Sequence, residues 1–282
     1  MQFSWRDDLL VTSYEEWRSR IALKDDALGR SARSLAMAWA GPVSVFGALS
    51  KVESFSDFRV KAVYVEAQTA FDSFPGGKRN HDLLLTGVTR DGGAVFPVES
   101  KADEPLGQTV KQYHDEGQRR RERGETTNAP ERLEGLVHAL IAHRSLGDER
   151  VLALRYQLLS GVAGTVAAAV EHHANAAVFF IHEFVTDQIA GPLRESNARD
   201  LRDFGTTVFD SEFPLHAEPP WCVGPLRFAG DGIGYQARFS CTSQRPLPTG
   251  GPNGSWRTSA ARRFCLSRNG AALPKREGRH AE

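Results

Sequence analysis

Apolar positions alternate with polar ones from about Phe58, and the β-branched and aromatic run Val60, Ala62-Val63-Tyr64-Val65 predicts a strand. Asp82-Leu83-Leu84-Leu85-Thr86-Gly87-Val88 predicts a second strand after a loop over Phe74–Asn80. Arg90-Asp91-Gly92-Gly93 is a D-G hairpin turn, and Ala94–Lys101 is the returning third strand. Pro97 lacks an amide hydrogen, so it assigns the first half of that strand to a sheet edge or a bulge. Ala177–Phe184 is a nearly unbroken apolar run, expected to be a fourth strand buried on both faces.

Between these strands the period lengthens to that of helices. Residues 6–50 read as helical: Asp25-Asp26 opens a short helix, and Ser31 caps a second that carries Leu35 and Trp39 on one face and ends at Gly41-Pro42. Pro105–Arg123 reads as a helix with Pro105 at its start. Another opens near Asn128 and Pro130, with Leu133, Leu136, Val137, Leu140 and Ile141 as its apolar stripe. A third opens at Asp148 and runs through Val151, Leu158, Val162 and Val166, where Gly161 and Gly164 predict close approach to a sheet. A helix over 191–204 and a strand near Thr206–Phe209 complete the expected core.

Length and composition then bound the organisation. The chain has 282 residues, of which 40% are hydrophobic and 25% charged, enough for one elaborated globular domain. We divide it into an N-terminal helical segment (1–54), an α/β core (55–239) and a basic, flexible tail (240–282). The 35 Lys and Arg equal the 35 Asp and Glu, so bulk charge gives no argument for a nucleic-acid partner. No apolar run approaches the ~18 residues of a membrane span, and no apolar leader opens the chain; the expectation is a soluble cytosolic protein. Cys222, Cys241 and Cys265 are odd in number and form no C-x-x-C pair, so neither a zinc ribbon nor a disulfide frame is supported.

Chemistry concentrates around the second and third strands. Residues two apart on a strand share a face, so Glu99 and Lys101 project together and Ser100 points away. If the two strands form a hairpin, Asp82 lies beside the end of the third. Two carboxylates and a lysine are costly to bury without purpose. A hard divalent cation offsets the carboxylate repulsion, and a nearby lysine can orient a water, help deprotonate it, or neutralise developing charge.

Asp82 on one strand and Glu99-Ser100-Lys101 on the next resemble the PD-(D/E)XK nuclease superfamily, with His81 standing where the motif has proline. The resemblance covers roughly residues 30–210. It implies a restriction-endonuclease-like α-β-β-β-α-β core, a mixed sheet flanked by helices, and Mg²⁺- or Mn²⁺-dependent hydrolysis of nucleic acid, DNA ahead of RNA. On that resemblance Asp82 and Glu99 are metal ligands, the Ser100 carbonyl is a further ligand, and Lys101 stands near the nucleophile. Glu66 adjoins the same site as a second-ligand candidate; an ordinary exposed glutamate explains it equally well. Tyr156 and Gln157 sit where some relatives carry helix residues that support the site, although a packed tyrosine and a helix surface explain them too.

Phosphate contacts are assigned to Lys78, Arg79, Lys111 and Arg119, with Arg120, Arg121 and Arg123 on the same helix. A solvated helix end accounts for the helical arginines as well, because cations near a helix C-terminus are stabilising. Other signals fail: His81-Asp82 precedes a strand, unlike an HD phosphohydrolase pair; His172-His173 has no H-E-x-x-H companion; Gly76-Gly77-Lys78 lacks P-loop spacing; and Gly230-x-Gly232-x-Gly234 has no following helix. A catalytically inactive binding or assembly module on the same scaffold is the alternative to a nuclease, and a small-substrate hydrolase is a third possibility.

Overall fold

The structure is a computed structural model describing residues 3–5, 10–11, 13–22, 25–26, 30–40, 57–102, 104–141, 143–184 and 191–209, together with the backbone of strands at 221–227, 235–244 and 262–268. Its centre is an antiparallel meander of β3 (Arg59–Thr69), β4 (Arg79–Thr89) and β5 (Gly92–Lys101). The expected hairpin turn joins β4 to β5, with Gly92 at φ 119°. β6 (Ala176–Phe184) lies parallel to β5, pairing Glu99 with Ile181 and Ser100 with His182. All but the first residue of β6 are buried, as its apolar run requires.

Outside this core, β1 (Phe3–Trp5) runs parallel to β3, and β2 (Leu10–Val11) pairs with β1. On the other side come β7 (Trp221–Arg227), β8 (Tyr235–Gln244) and β9 (Arg262–Arg268), giving the sheet order β2-β1-β3-β4-β5-β6-β8-β7-β9. The chain is thus an open mixed α/β sheet with flanking helices.

One face is covered by α1 (Tyr14–Ser19) and α2 (Ser31–Ala40). There Phe3, Trp17, Leu35 and Trp39 pack on Val63, Val65, Leu83, Leu85, Phe96 and Val98. The opposite face carries α3 (Val110–Glu122), α4 (Ala129–Leu140), α5 (Glu149–Ala153), α6 (Tyr156–Glu171) and α7 (Gly191–Phe209). Their buried Leu133, Leu158, Leu159, Val162 and Phe204 meet Leu84, Val95, Phe179 and Ile181. As expected, α6 touches the sheet through its glycines: a Cβ on Gly161 would fall 2.3 Å from Phe179 Cζ, and one on Gly164 2.7 Å from Arg79 Cγ. No helix among the described residues is long and apolar enough to cross a membrane.

Several expectations are corrected. The N-terminal segment is not all helix: β1 and β2 extend the sheet because β3 offers an open edge and Phe3 and Val11 are buried there. Pro97 sits in a central strand; the β5–β6 ladder pairs Val95 and then Val98, so the missing amide falls where that ladder is interrupted. Pro105 precedes α3 rather than starting it. The start is instead set by a capping box, in which Gln112 N donates to Thr109 Oγ1 at 3.1 Å and Thr109 N to Gln112 Oε1 at 2.8 Å.

The helix from Asp148 is two helices. Leu154 and Arg155 are extended because their backbone pairs with the lead-in to α3: Val110 N donates to Leu154 O at 2.8 Å, and Tyr156 N to Gln108 O at 3.0 Å. Thr206–Phe209 continues α7 instead of forming a strand, since Leu201, Phe204 and Val208 recur at helical spacing and are buried together. The region after 240 contains the end of β8 and all of β9, paired antiparallel to each other. The expected stop at Gly41-Pro42, and the glycines at 230–234, lie outside the described residues.

Candidate functional site

The site forms where β3, β4 and β5 reach their ends nearest α6. Val65 pairs with Leu83 and Ala67 with His81. In a regular strand Val65 and Ala67 would share a face. Here Val65 and Leu83 belong to the core under α1–α2, and Ala67 to the core under α6. The reversal is made at Glu66, which has φ 56°, a conformation disfavoured for residues with a Cβ and concentrated at functional sites. Asp82 stands opposite Glu66 at the same step.

Glu99 is the hub. Lys101 Nζ donates to its Oε1 at 2.6 Å, Gln157 Nε2 donates to the same oxygen at 2.5 Å, and Arg79 Nη2 pairs with Oε2. All three charged members are buried. Burial presses the Glu99 carboxyl upward, but the Lys101 and Arg79 charges outweigh it and hold the group below the usual carboxylate range. Burial presses Lys101 downward in turn, and Glu99 and Asp82 outweigh that, raising it above an ordinary lysine. Both groups are therefore charged at neutral pH.

Asp82 differs. Its Oδ2 accepts from Ser100 N at 2.6 Å and Ser100 Oγ at 2.7 Å, which fixes the carboxylate beside β5. Burial, reinforced by the Glu99 charge, pushes its pKa up to about 7 despite Lys101 and the Ser100 donors. Glu66 accepts a hydrogen bond from Asn80 Nδ2. Asp82, Glu66 and Ser100 also line a cavity of about 260 Å³ opening toward α1 and α2, walled by Trp5, Trp17, Arg20 and Leu35.

The structure thus brings Glu99, Lys101 and Gln157 together and sets Asp82 and Ser100 next to them, with Glu99 and Lys101 on one side of β5 and Ser100 on the other, as the alternation requires. Among the described residues, no three His, Cys, Asp or Glu side chains converge as a metal-ligating group by themselves. Tyr156 does not reach Glu99; it stacks on Tyr113, with ring centroids 3.9 Å apart and planes at 9°.

The expected phosphate contacts are corrected in part. Arg79 is committed to Glu99 because its position on β4, under Gly164, buries it. Lys111 pairs with Asp115 and Arg119 with Glu116, while Arg120, Arg121 and Arg123 pair with Glu125, Glu131 and Glu125 respectively, so each of these exposed cations has a carboxylate beside it. Lys78 remains exposed in the loop before β4.

Sequence reasoning missed Arg79 as a partner of Glu99, the Ser100 hydroxyl as a donor to Asp82, and the tryptophans of the cavity wall. His81 is fully buried, and burial followed by the Arg79 charge holds it well below the ordinary histidine range, hence neutral.

A family model described as "Domain of unknown function (DUF6946)" matches residues 10–215. The chain belongs to that family. The family span runs from β2 through α7 and contains every member of the Glu99 cluster, along with Asp82, Glu66 and Ser100; β1 with Trp5 lies before it. No curated protein and no solved structure matches the chain.

Proposed function

We propose that this protein is a divalent-metal-dependent nuclease that hydrolyses phosphodiester bonds of DNA, on a restriction-endonuclease-like core. The observation that carries the reading is Glu99 bonded at once to Lys101 from its own strand and to Gln157 from the first turn of α6, with Asp82 held beside them by Ser100. A helix, three antiparallel strands, further helices and a parallel strand in this order agree with the core that the resemblance implies.

The donor set suits magnesium. It takes hard oxygens and keeps several waters, so it needs few protein ligands. The Asp82 carboxylate, the Ser100 carbonyl and Glu66 supply such oxygens, and Glu99 joins them when Arg79 leaves Oε2. When bound, the ion would polarise a phosphoryl oxygen and make a water acidic enough to attack at neutral pH.

The remaining steps belong to the chain. Lys101, held charged, neutralises the negative charge that grows on the phosphoryl oxygens and does not act as a base. Gln157 keeps Glu99 oriented. Ser100 N and Oγ hold the Asp82 carboxylate in place.

The test is cleavage of linear and plasmid DNA in Mg²⁺ or Mn²⁺ by the wild-type chain and by Glu99→Ala and Lys101→Ala. Loss in both variants with unchanged circular dichroism supports the assignment; equal activity in Glu99→Ala overturns it.

The Arg79–Glu99 pair favours a second reading. Arg79 and Lys101 balance Asp82 and Glu99 without any cation, as in an inactive module that uses the fold for binding or assembly. Calorimetric titration with Mn²⁺ separates the two, because that reading requires no binding.

A further inference from the structure

The cavity on the α1–α2 side of Asp82 shares Asp82, Glu66 and Ser100 with the oxygens named above, while its other walls take no part in that mechanism. It holds about 260 Å³ and is walled by Trp5, Trp17, Ile21, Leu35 and Val65, with Arg20 at its side. Three carboxylates, Asp25, Glu66 and Asp82, are among its lining residues, and Arg20 is the one cation among the described ones. Asp82 belongs both to this wall and to the neighbourhood of Glu99 and Lys101, so an occupant lies one side chain from the proposed reaction centre.

We infer that this cavity receives a single unpaired nucleobase bearing amino or imino donors, so that the substrate is a single strand or a frayed end instead of an intact duplex. The inference rests on the nuclease reading and deepens it.

Three observations favour this occupant. The volume is below the about 300 Å³ at which pockets begin to take drug-sized ligands, which suits one planar heterocycle and excludes a base pair. The walls are aromatic and aliphatic, the surfaces on which extruded and single-stranded bases pack. The acidic lining, with Asp25 outside the set of oxygens given to the metal, rewards the donor edges of guanine, cytosine and adenine and repels the two carbonyls of thymine or uracil, as carboxylates do when they read the cytosine amino group.

An organic cation is the competing occupant of a space lined by tryptophan and carboxylates. One such face, that of Trp5, is already taken. The Arg20 guanidinium lies 5.5 Å from the Trp5 ring centroid. That arrangement leaves a flat guanidinium and the aliphatic side of Leu35 and Val65 for a neutral ring.

The experiment is isothermal titration of the full chain, without metal, with GMP, CMP, UMP, inorganic phosphate and spermidine. In parallel, Mn²⁺-dependent cleavage is measured on a single-stranded oligonucleotide and on its blunt duplex. GMP and CMP are expected to bind at least tenfold more tightly than UMP. Ala32→Phe, which projects a ring from α2 into the cavity, should abolish that binding with the melting temperature retained, and Arg20→Ala should weaken it several-fold. Single-stranded DNA should be cut at least tenfold faster than the duplex.

Equal affinity for GMP and UMP, phosphate binding as well as the nucleotides, or spermidine binding in their place each overturns the inference. So does a duplex cut as fast as the single strand. Nucleotide binding with no cleavage of any nucleic acid sustains the cavity assignment and removes the nuclease reading. Cleavage without nucleotide binding does the reverse.

Discussion

Gln157 Nε2 donates to Glu99 Oε1 at 2.5 Å, which ties the first turn of α6 to the last residues of β5, 58 positions earlier in the chain. The bond exists because α6 begins at Tyr156, after the extended Leu154-Arg155 step, and not earlier. Had the helix run unbroken from Asp148, residue 157 would lie in a helix interior with a different aim.

Gln157→Ala should therefore act on the site more than on the fold. Losing a hydrogen bond to a charged group costs about 1.5–3 kcal/mol when nothing replaces it; Lys101 and Arg79 still hold Glu99, so a loss of about 1 kcal/mol in urea denaturation is expected. Mn²⁺-dependent cleavage should fall about tenfold or more. A stability loss with unchanged cleavage would reduce Gln157 to a structural bond.

Arg79→Met removes one partner of a buried ion pair, a change that commonly costs about 3–5 kcal/mol. Two remaining donors on Glu99 place the expected loss at about 3 kcal/mol or less. On the nuclease reading the same variant frees Glu99 Oε2 and binds Mn²⁺ more tightly than wild type, whereas on the assembly reading neither protein binds it. Calorimetry on the two proteins decides.

Asp82 makes stability depend on pH in a defined sense. Its pKa in the folded chain is about 7, above the ordinary aspartate value, so the fold binds a proton that the unfolded chain gives up. The stabilisation linked to that proton is fully present below pH ~4 and is lost as pH rises through 7. Asp82→Asn keeps the site neutral; it should be more stable than wild type at pH 8 by about 1–3 kcal/mol and should flatten the Asp82 contribution between pH 4 and 7. Adding Mg²⁺ at pH 8 should restore part of that stability in wild type alone. A larger pH dependence in the variant would refute the account.

Gly161→Ala tests the approach of α6 to β6. Alanine gains up to about 1 kcal/mol in helix propensity. Here its Cβ would sit 2.3 Å from Phe179 Cζ, and overpacking of a filled core costs about 1–3 kcal/mol. A net fall in thermal stability is expected by differential scanning calorimetry, whereas the same change at Gly135, which has open space around it, should be neutral or stabilising.

The meander and the buried strand were legible because β3, β4, β5 and β6 each carry a strong period or apolar run and the D-G turn fixes the pairing of two of them. The Glu99–Lys101 pair follows from alternation alone. Arg79 was not legible as a partner of Glu99: its face is set by the reversal at Glu66, a positive φ that residue type does not announce. The break at Leu154-Arg155 was hidden for a related reason, since the apolar spacing runs straight through it and the extended step is held by backbone bonds to Gln108 and Val110. Thr206–Phe209 is helix and not the expected strand because the helical spacing of Leu201, Phe204 and Val208 runs through it.

The parallel contact of Phe3–Trp5 with Val63–Val65 makes the opening residues a guard rail for the sheet. Without them Val63–Val65 would offer their outward backbone groups to any passing strand, the situation that leads to edge-to-edge association. Protein lacking residues 3–5 should therefore gather into oligomers before it loses its fold.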